Sequence, residues 1–139
     1  MISTIKWHLR GINTQGVVER HKILKKMHHL SVITILETFC GSFNVHNFKI
    51  QLGMENIATN CNGKIPVFFG NGDFDSMIID EDEYQITCHF SHNEVHKKFS
   101  VTFVNAKCKD HLRRLLCDKL LQQDRSNKIH GALWEILIL

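Results

Sequence analysis

His8 and Arg10 stand within the run Lys6-Trp7-His8-Leu9-Arg10-Gly11, and Glu37 follows a helix-length later within Ile35-Leu36-Glu37-Thr38. Each group closes an apolar run. If the two runs are parallel strands joined by a helix, their carboxyl ends lie side by side, and open α/β sheets place ligands in the crevice beyond such ends. Glu37 would bring a carboxylate there, the hard oxygen donor that Mg²⁺ takes from one or two acidic side chains. A solvent-exposed strand end accounts for the same residue without any ligand. His8 has the chemistry to touch a phosphate or a metal, although a lone His on a strand is more often a half-exposed neighbour.

Two other groupings invite chemistry. Cys88, His89, His92 and His96 contain zinc-ligand types. Alternate strand residues point to opposite faces, so the convergence of four ligands is not implied. Lys97, Lys98, Lys107, Lys109, Arg113 and Arg114 make the latter half locally basic, as a phosphate-tracking surface is. Glu94, Asp110 and Asp118 interrupt them, as in an ordinary solvated face. No Gly-rich phosphate loop, Ser-His-Asp order or paired-cysteine motif occurs.

The elements that must hold these residues follow from periodicity. Ile5, Trp7 and Leu9 alternate with Lys6, His8 and Arg10, which predicts a strand with one buried face. After a break at residues 11–16, Val17, Ile23, Leu24 and Met27 fall at helical spacing, and that helix ends near His28 and His29. The β-branched run Val32-Ile33-Thr34-Ile35-Leu36 suits a strand covered on both faces, completing a right-handed βαβ unit.

From Phe43 onward the pattern predicts short strands at 45–52, 64–69, 76–79, 84–90 and 99–104, arranged as an antiparallel meander. Gly70-Asn71-Gly72-Asp73 and His92-Asn93-Glu94 read as hairpin turns. Asp110 then caps a second amphipathic helix whose apolar stripe is Leu112, Leu115, Leu116 and Leu120, and a strand-like run closes the sequence at 133–139.

Composition sets outer bounds. The 139 residues read as one α/β domain over 1–139, 43% hydrophobic and 22% charged, in the ordinary soluble range. A net charge of +3 permits phosphate-bearing partners without identifying them. Five cysteines with no paired motif, and no leader-like start, predict reduced thiols in an intracellular protein. No apolar run approaches the roughly 20 residues of a membrane span, so no membrane partner is expected.

Several segments together resemble the endonuclease domain of plant non-LTR (LINE-type) retrotransposons, within the endonuclease/exonuclease/phosphatase superfamily. They are KWHLRG, ILETF, NGKIPVFFG, DEYQITCHFSHNEV, VTFVNAKCKDHLRRLLCDKLL and the late Ala-Leu-Trp, and they run in the family's order. The resemblance implies a DNase I-like sandwich of two sheets flanked by helices, present here as its amino-terminal part. It further implies DNA as substrate, a nuclear site of action, Mg²⁺ as cofactor and Glu37 as the metal-binding glutamate.

This chain departs from the pattern at two site positions. His8 stands where the family has Asn, and Asn105 where it has a Tyr that orients the phosphate. Imidazole is a poorer partner for Mg²⁺ than an amide oxygen. Two packing departures, Pro66 and Cys117 in place of Trp, are expected to weaken the fold. The family's later Gly-Asp-Phe-Asn and Ser-Asp-His motifs do not occur before Leu139. Gly72-Asp73-Phe74-Asp75 imitates the first of them at the wrong place in the order. The expectation is a remnant phosphodiesterase that is catalytically inactive, with a non-catalytic nucleic-acid- or protein-binding module as the alternative. Uncovered apolar surface would favour self-association.

Overall fold

The computed structural model describes residues 3–8, 15–36, 42–70, 74–92, 98–105, 110–127 and 133–138. Strand β1 (Ser3–His8), helix α1 (Gln15–His28) and strand β2 (Leu30–Leu36) form the expected unit, with β1 parallel to β2 and His8 opposite Leu36. His29, in the left-handed region at φ 49°, ends α1 and turns the chain into β2.

The next segment departs from expectation. Residues 45–51 belong to helix α2 (Ser42–Gln51) and Leu52 to the turn that follows it, not to a strand. Phe48, Ile50 and Leu52 alternate as a strand would, yet Ile50 is 70% exposed while Val45, Phe48 and Leu52 are buried, a helical spacing. The helix stops in a Schellman turn. The Gly53 N–H bonds Ile50 O at 3.0 Å and the Met54 N–H bonds Lys49 O at 3.1 Å, with Gly53 at φ 63°.

Strands β3 (Asn56–Thr59) and β4 (Pro66–Phe69) join the first sheet, in the order β1-β2-β4-β3. Strands β5 (Phe74–Glu81), β6 (Gln85–His92), β7 (Lys98–Val104) and β8 (Leu133–Ile138) make a second sheet in that order. The predicted single meander is therefore divided: only β5, β6 and β7 run as one. Since β4 and β5 lie in different sheets, the segment from Gly70 is a crossover between sheets and not a hairpin. Its residues 71–73, like 93–97 between β6 and β7, lie outside the described residues.

Alternation within the strands sorts the layers. Val32, Val67, Phe69 and Ala58 of the first sheet pack against Ile86, Cys88, Phe90, Val101 and Phe103 of the second. On the other side of the first sheet, Ile33, Ile35 and Phe68 meet Val18 of α1 and Val45 and Phe48 of α2. Helix α3 (Asp110–Asn127) covers the second sheet through Leu116 and Leu120 against Val104 and Tyr84. The result is four layers, helix–sheet–sheet–helix.

Both helix stripes are corrected in detail. Among the described side chains of α1 the buried ones are Val18 and His21, while Ile23 and Met27 are exposed. On α3 Leu115 is 64% exposed, because the sheet is met along the four-residue ridge of Leu116 and Leu120. The two packing departures fall at positions that accommodate them. Pro66 is the first residue of β4, where its missing N–H is tolerated, and its carbonyl accepts the Thr34 hydroxyl at 2.9 Å. Cys117 is exposed, so no void replaces a tryptophan there.

Candidate active site

Strand directions bring several chain segments to one edge of the sandwich. β1 and β2 both end there, at His8 and Leu36, and β3, antiparallel to β4, delivers Asn60 to the same edge. The Asn60 amide donates to the Asp82 and Glu83 carbonyls at 2.9 and 3.3 Å, and the Asn62 amide to Glu83 O at 3.1 Å. The β5–β6 turn is thereby tied to the end of the first sheet. At the other end of the two strands, the rings of Phe69 and Phe90 meet edge to face, 5.5 Å apart. The two sheets therefore run in fixed alignment, and β7 ends at the same edge with Asn105, whose N–H bonds Tyr84 O at 2.8 Å.

The sequence-predicted site residues fall accordingly. His8 and Asn105 are brought to this edge, one at the end of each sheet's strand. Glu37 directly follows Leu36, and both Glu37 and Arg10 lie outside the described residues. Of the imitation motif, Phe74 and Asp75 begin β5 at the far end, and the strand reaches this edge only at Glu81, while residues 72 and 73 lie outside the described residues.

Sequence reasoning missed the polar system that builds the edge. Lys119 of α3 places its ammonium 3.0 Å from Asp80 Oδ2 and 3.1 Å from Asp82 Oδ2. Burial alone would raise the Asp82 carboxyl, but the Tyr84 N–H, the Lys119 ammonium and the Gln85 amide overcome it and hold the group below its ordinary value. Lys119 in turn is lowered by burial yet raised overall by Asp80 and Asp82. From Gln85 the bonding continues inward: Thr87 donates to Gln85 Oε1 at 3.0 Å and shares a 2.9 Å bond with Thr102. The signal available in sequence was the turn-forming Asn60-Cys61-Asn62-Gly63 and Asp82-Glu83 pair.

Other candidate chemistry separates. Cys88 points into the core, where burial, reinforced by the Glu81 charge, pushes its thiol up to about 12. His89, on the opposite face, bonds the Ser100 hydroxyl at 2.8 Å. Among the described residues no group of His, Cys, Asp and Glu side chains is arranged to hold a metal. Of the basic residues in the latter half, Lys98 starts β7 at the far edge and Arg113 pairs with Asp110 at 3.6 Å, while 97, 107 and 109 lie outside the described residues. Among the described residues, no helix is long and apolar enough to cross a membrane.

Solved structures place this architecture. An endonuclease/exonuclease/phosphatase family protein from Bacteroides thetaiotaomicron matches 99% of this chain with a TM-score of 0.64 at 13% identity. The fold is the DNase I-like sandwich, in part. The match takes in 62% of the bacterial protein, so the chain spans about three-fifths of that DNase I-like length. The human Nocturnin catalytic domain, solved with a bound sulfate anion, matches with a TM-score of 0.61 at 13% identity over 99% of this chain and 63% of its own. The endonuclease domain of TRAS1, a telomere-specific non-LTR retrotransposon, matches with a TM-score of 0.57 at 10% identity over 92% of this chain and 53% of its own. No protein-family model matches the sequence. No curated protein matches it either.

Proposed function

We propose that the edge bearing His8, Glu37 and Asn105 is a degenerate phosphodiesterase centre of the plant LINE endonuclease type, and that these residues do not cleave DNA unaided. The observation that carries this reading is the parallel β1–β2 pair, which sets His8 opposite Leu36, the residue that Glu37 follows in the sequence. The likeness to the retrotransposon endonuclease domain supports the same assignment.

Glu37 is the residue to hold Mg²⁺, as a single hard carboxylate completed by water and substrate phosphate. Bound there, the ion would supply charge stabilisation to a phosphodiester oxygen. The surrounding donors do not strengthen such a site. His8 offers nitrogen, Asp80 and Asp82 are engaged by Lys119, and Asn105 lacks the reach of a phenol. Charge stabilisation, an activated water and substrate orientation each lower the barrier by several kcal/mol, and one carboxylate does not provide all three.

Plasmid relaxation with Mg²⁺ tests the proposal. No nicking is expected, and nicking that disappears in Glu37→Ala would overturn the inactivity. Urea unfolding followed by Trp fluorescence reads the metal itself: Mg²⁺ should move the midpoint upward in wild type and not in Glu37→Ala, because only binding to the native state stabilises it. A non-catalytic binding role for the basic surfaces and self-association through exposed Ile23, Met27 and Ile50 complete the proposal. Strongly salt-dependent DNA binding, and sedimentation above the monomer mass, are their respective readouts.

A further inference from the structure

The edge opposite the candidate active site carries a cavity of about 350 Å³ where α1 ends and β2 begins. Its lining includes Lys22, Lys25, Lys26, His29 and Ser31, and among these described lining residues there is no carboxylate. Leu52, just past the end of α2, also lines it. The seven residues of β2 separate this cavity from Leu36 by roughly 20 Å at strand rise.

One member of the cationic wall, Lys25, is held in place, while Lys22 and Lys26 flank it on the exposed side of α1. The Lys25 ammonium donates to Leu52 O at 2.9 Å and to Gly53 O at 3.0 Å, the carbonyls left over where α2 terminates. An ammonium has three donors, so two are committed and one remains. Burial lowers the Lys25 pKa, as expected for a cation drawn partly out of water. Lys22 and Lys26 stand one helical turn apart on α1, and Lys22 reaches Glu19 at 3.0 Å along the exposed side of the helix. The left-handed turn at His29 brings an imidazole and the Ser31 hydroxyl to the same opening.

We infer that this cavity is a phosphate-binding site, distinct from the Glu37 edge, in which Lys22, Lys25, Lys26 and the Ser31 hydroxyl take the oxygens of one phosphate group. The ligand class is a phosphate ester, whether the backbone of a nucleic acid or a small phosphorylated molecule. A doubly or singly charged tetrahedral oxyanion uses several convergent N–H and O–H donors at once, and it supplies counter-charge beyond the exposed ion pair of Lys22 with Glu19. The inference does not depend on residual activity at the other edge.

Isothermal titration of the full chain with inorganic pyrophosphate, and separately with a short DNA duplex, tests it. Wild type should bind at least one of the two probes, and K22Q/K26Q should bind about tenfold more weakly or worse, the usual value of charge-assisted bonds. Both lysines are exposed, so the urea midpoint of that variant should match wild type. Arg113→Gln with Arg114→Gln on α3, and Glu37→Ala, should leave the affinity unchanged. A loss in K22Q/K26Q seen with pyrophosphate assigns a small phosphate ligand, and one seen with the duplex alone assigns the nucleic-acid backbone. Either supports the site. Absence of binding to both probes, unchanged affinity in K22Q/K26Q, or an equal loss in the Arg pair or in Glu37→Ala would overturn it.

Discussion

The two sheets of this sandwich are covered on their outer faces by helices, but by opposite chemistry. Over the first sheet the cover is apolar: Phe48 of α2 meets Phe68 at 5.4 Å between ring centroids and His21 of α1 edge-on at 5.6 Å, with Ile33 and Ile35 beneath. Over the second sheet, beside the Leu116 and Leu120 contact with Val104, the buried Gln85, Thr87 and Thr102 are bonded in a chain that ends on Asp80, Asp82 and Lys119, and the buried Ser100 bonds His89. Apolar burial is insensitive to exact geometry, whereas a buried polar group that loses its partner bears a full desolvation cost. The first face should therefore carry more of the total stability, and the second should be more specific in its partners and more responsive to pH.

The largest effect is expected at the apolar face. Phe48→Ala should lower the unfolding free energy by about 3–5 kcal/mol in urea titration, since it removes a fully buried aromatic shared by α1, α2 and the sheet. If Thr102→Val were to cost more than Phe48→Ala, the contrast would be wrong.

Thr102→Val should itself cost about 1–2 kcal/mol by taking one partner from Thr87. The double variant Thr87→Val/Thr102→Val sharpens the point. Its cost should fall below the sum of the singles for the shared Thr–Thr bond, with the excess confined to the stranded Gln85 oxygen. A strictly additive cycle would show that the two hydroxyls are not coupled.

Lys119→Met should cost about 1 kcal/mol at neutral pH, discounted because lysine and both aspartates are partly exposed. Its pH dependence has two sides. Asp82 is depressed below its ordinary 3.8, so its contribution is present above that value and lost as pH falls through the folded value. Lys119 is raised above its ordinary 10.5, so its contribution is present below that value and lost as pH rises through the folded one. The wild-type advantage over Lys119→Met should thus form a plateau across neutrality and shrink at both extremes. A pH-independent difference would remove the ion pairs from the account. The smallest effect belongs to Leu115→Gln, within about 0.5 kcal/mol, as its side chain is exposed on α3.

Much of the first sheet was legible because its signals are local. Alternation at Ile5, Trp7 and Leu9, helical spacing after Val17 and the β-branched run from Val32 each mark an element, and β1, α1 and β2 lie where those patterns put them, although α1 buries Val18 and His21 and not Ile23 and Met27. The same reasoning failed at 45–52, because Phe48, Ile50 and Leu52 satisfy a period of two while the true burial follows Val45, Phe48 and Leu52. It missed β3 altogether, a four-residue strand of which only Ala58 is buried. Of the candidate site, His8 and Asn105 were legible as strand ends, while the Asn60–Asp82–Lys119 system was not, since its members lie far apart along the chain.

What the sequence by itself determined is which segments extend, which coil and where polar groups interrupt them, because side-chain sterics and the period of the backbone act over a few residues. Only the tertiary structure decided that the strands divide between two sheets, that Asn60 ties one to the other, and that Lys25 grips the end of α2 beside Lys22, Lys26 and His29. Periodicity states that a face is buried but not what buries it. The choice of partner is made by the joint packing of Val32, Val67 and Phe69 against Ile86, Phe90 and Phe103, and that packing exists only once both sheets are in place.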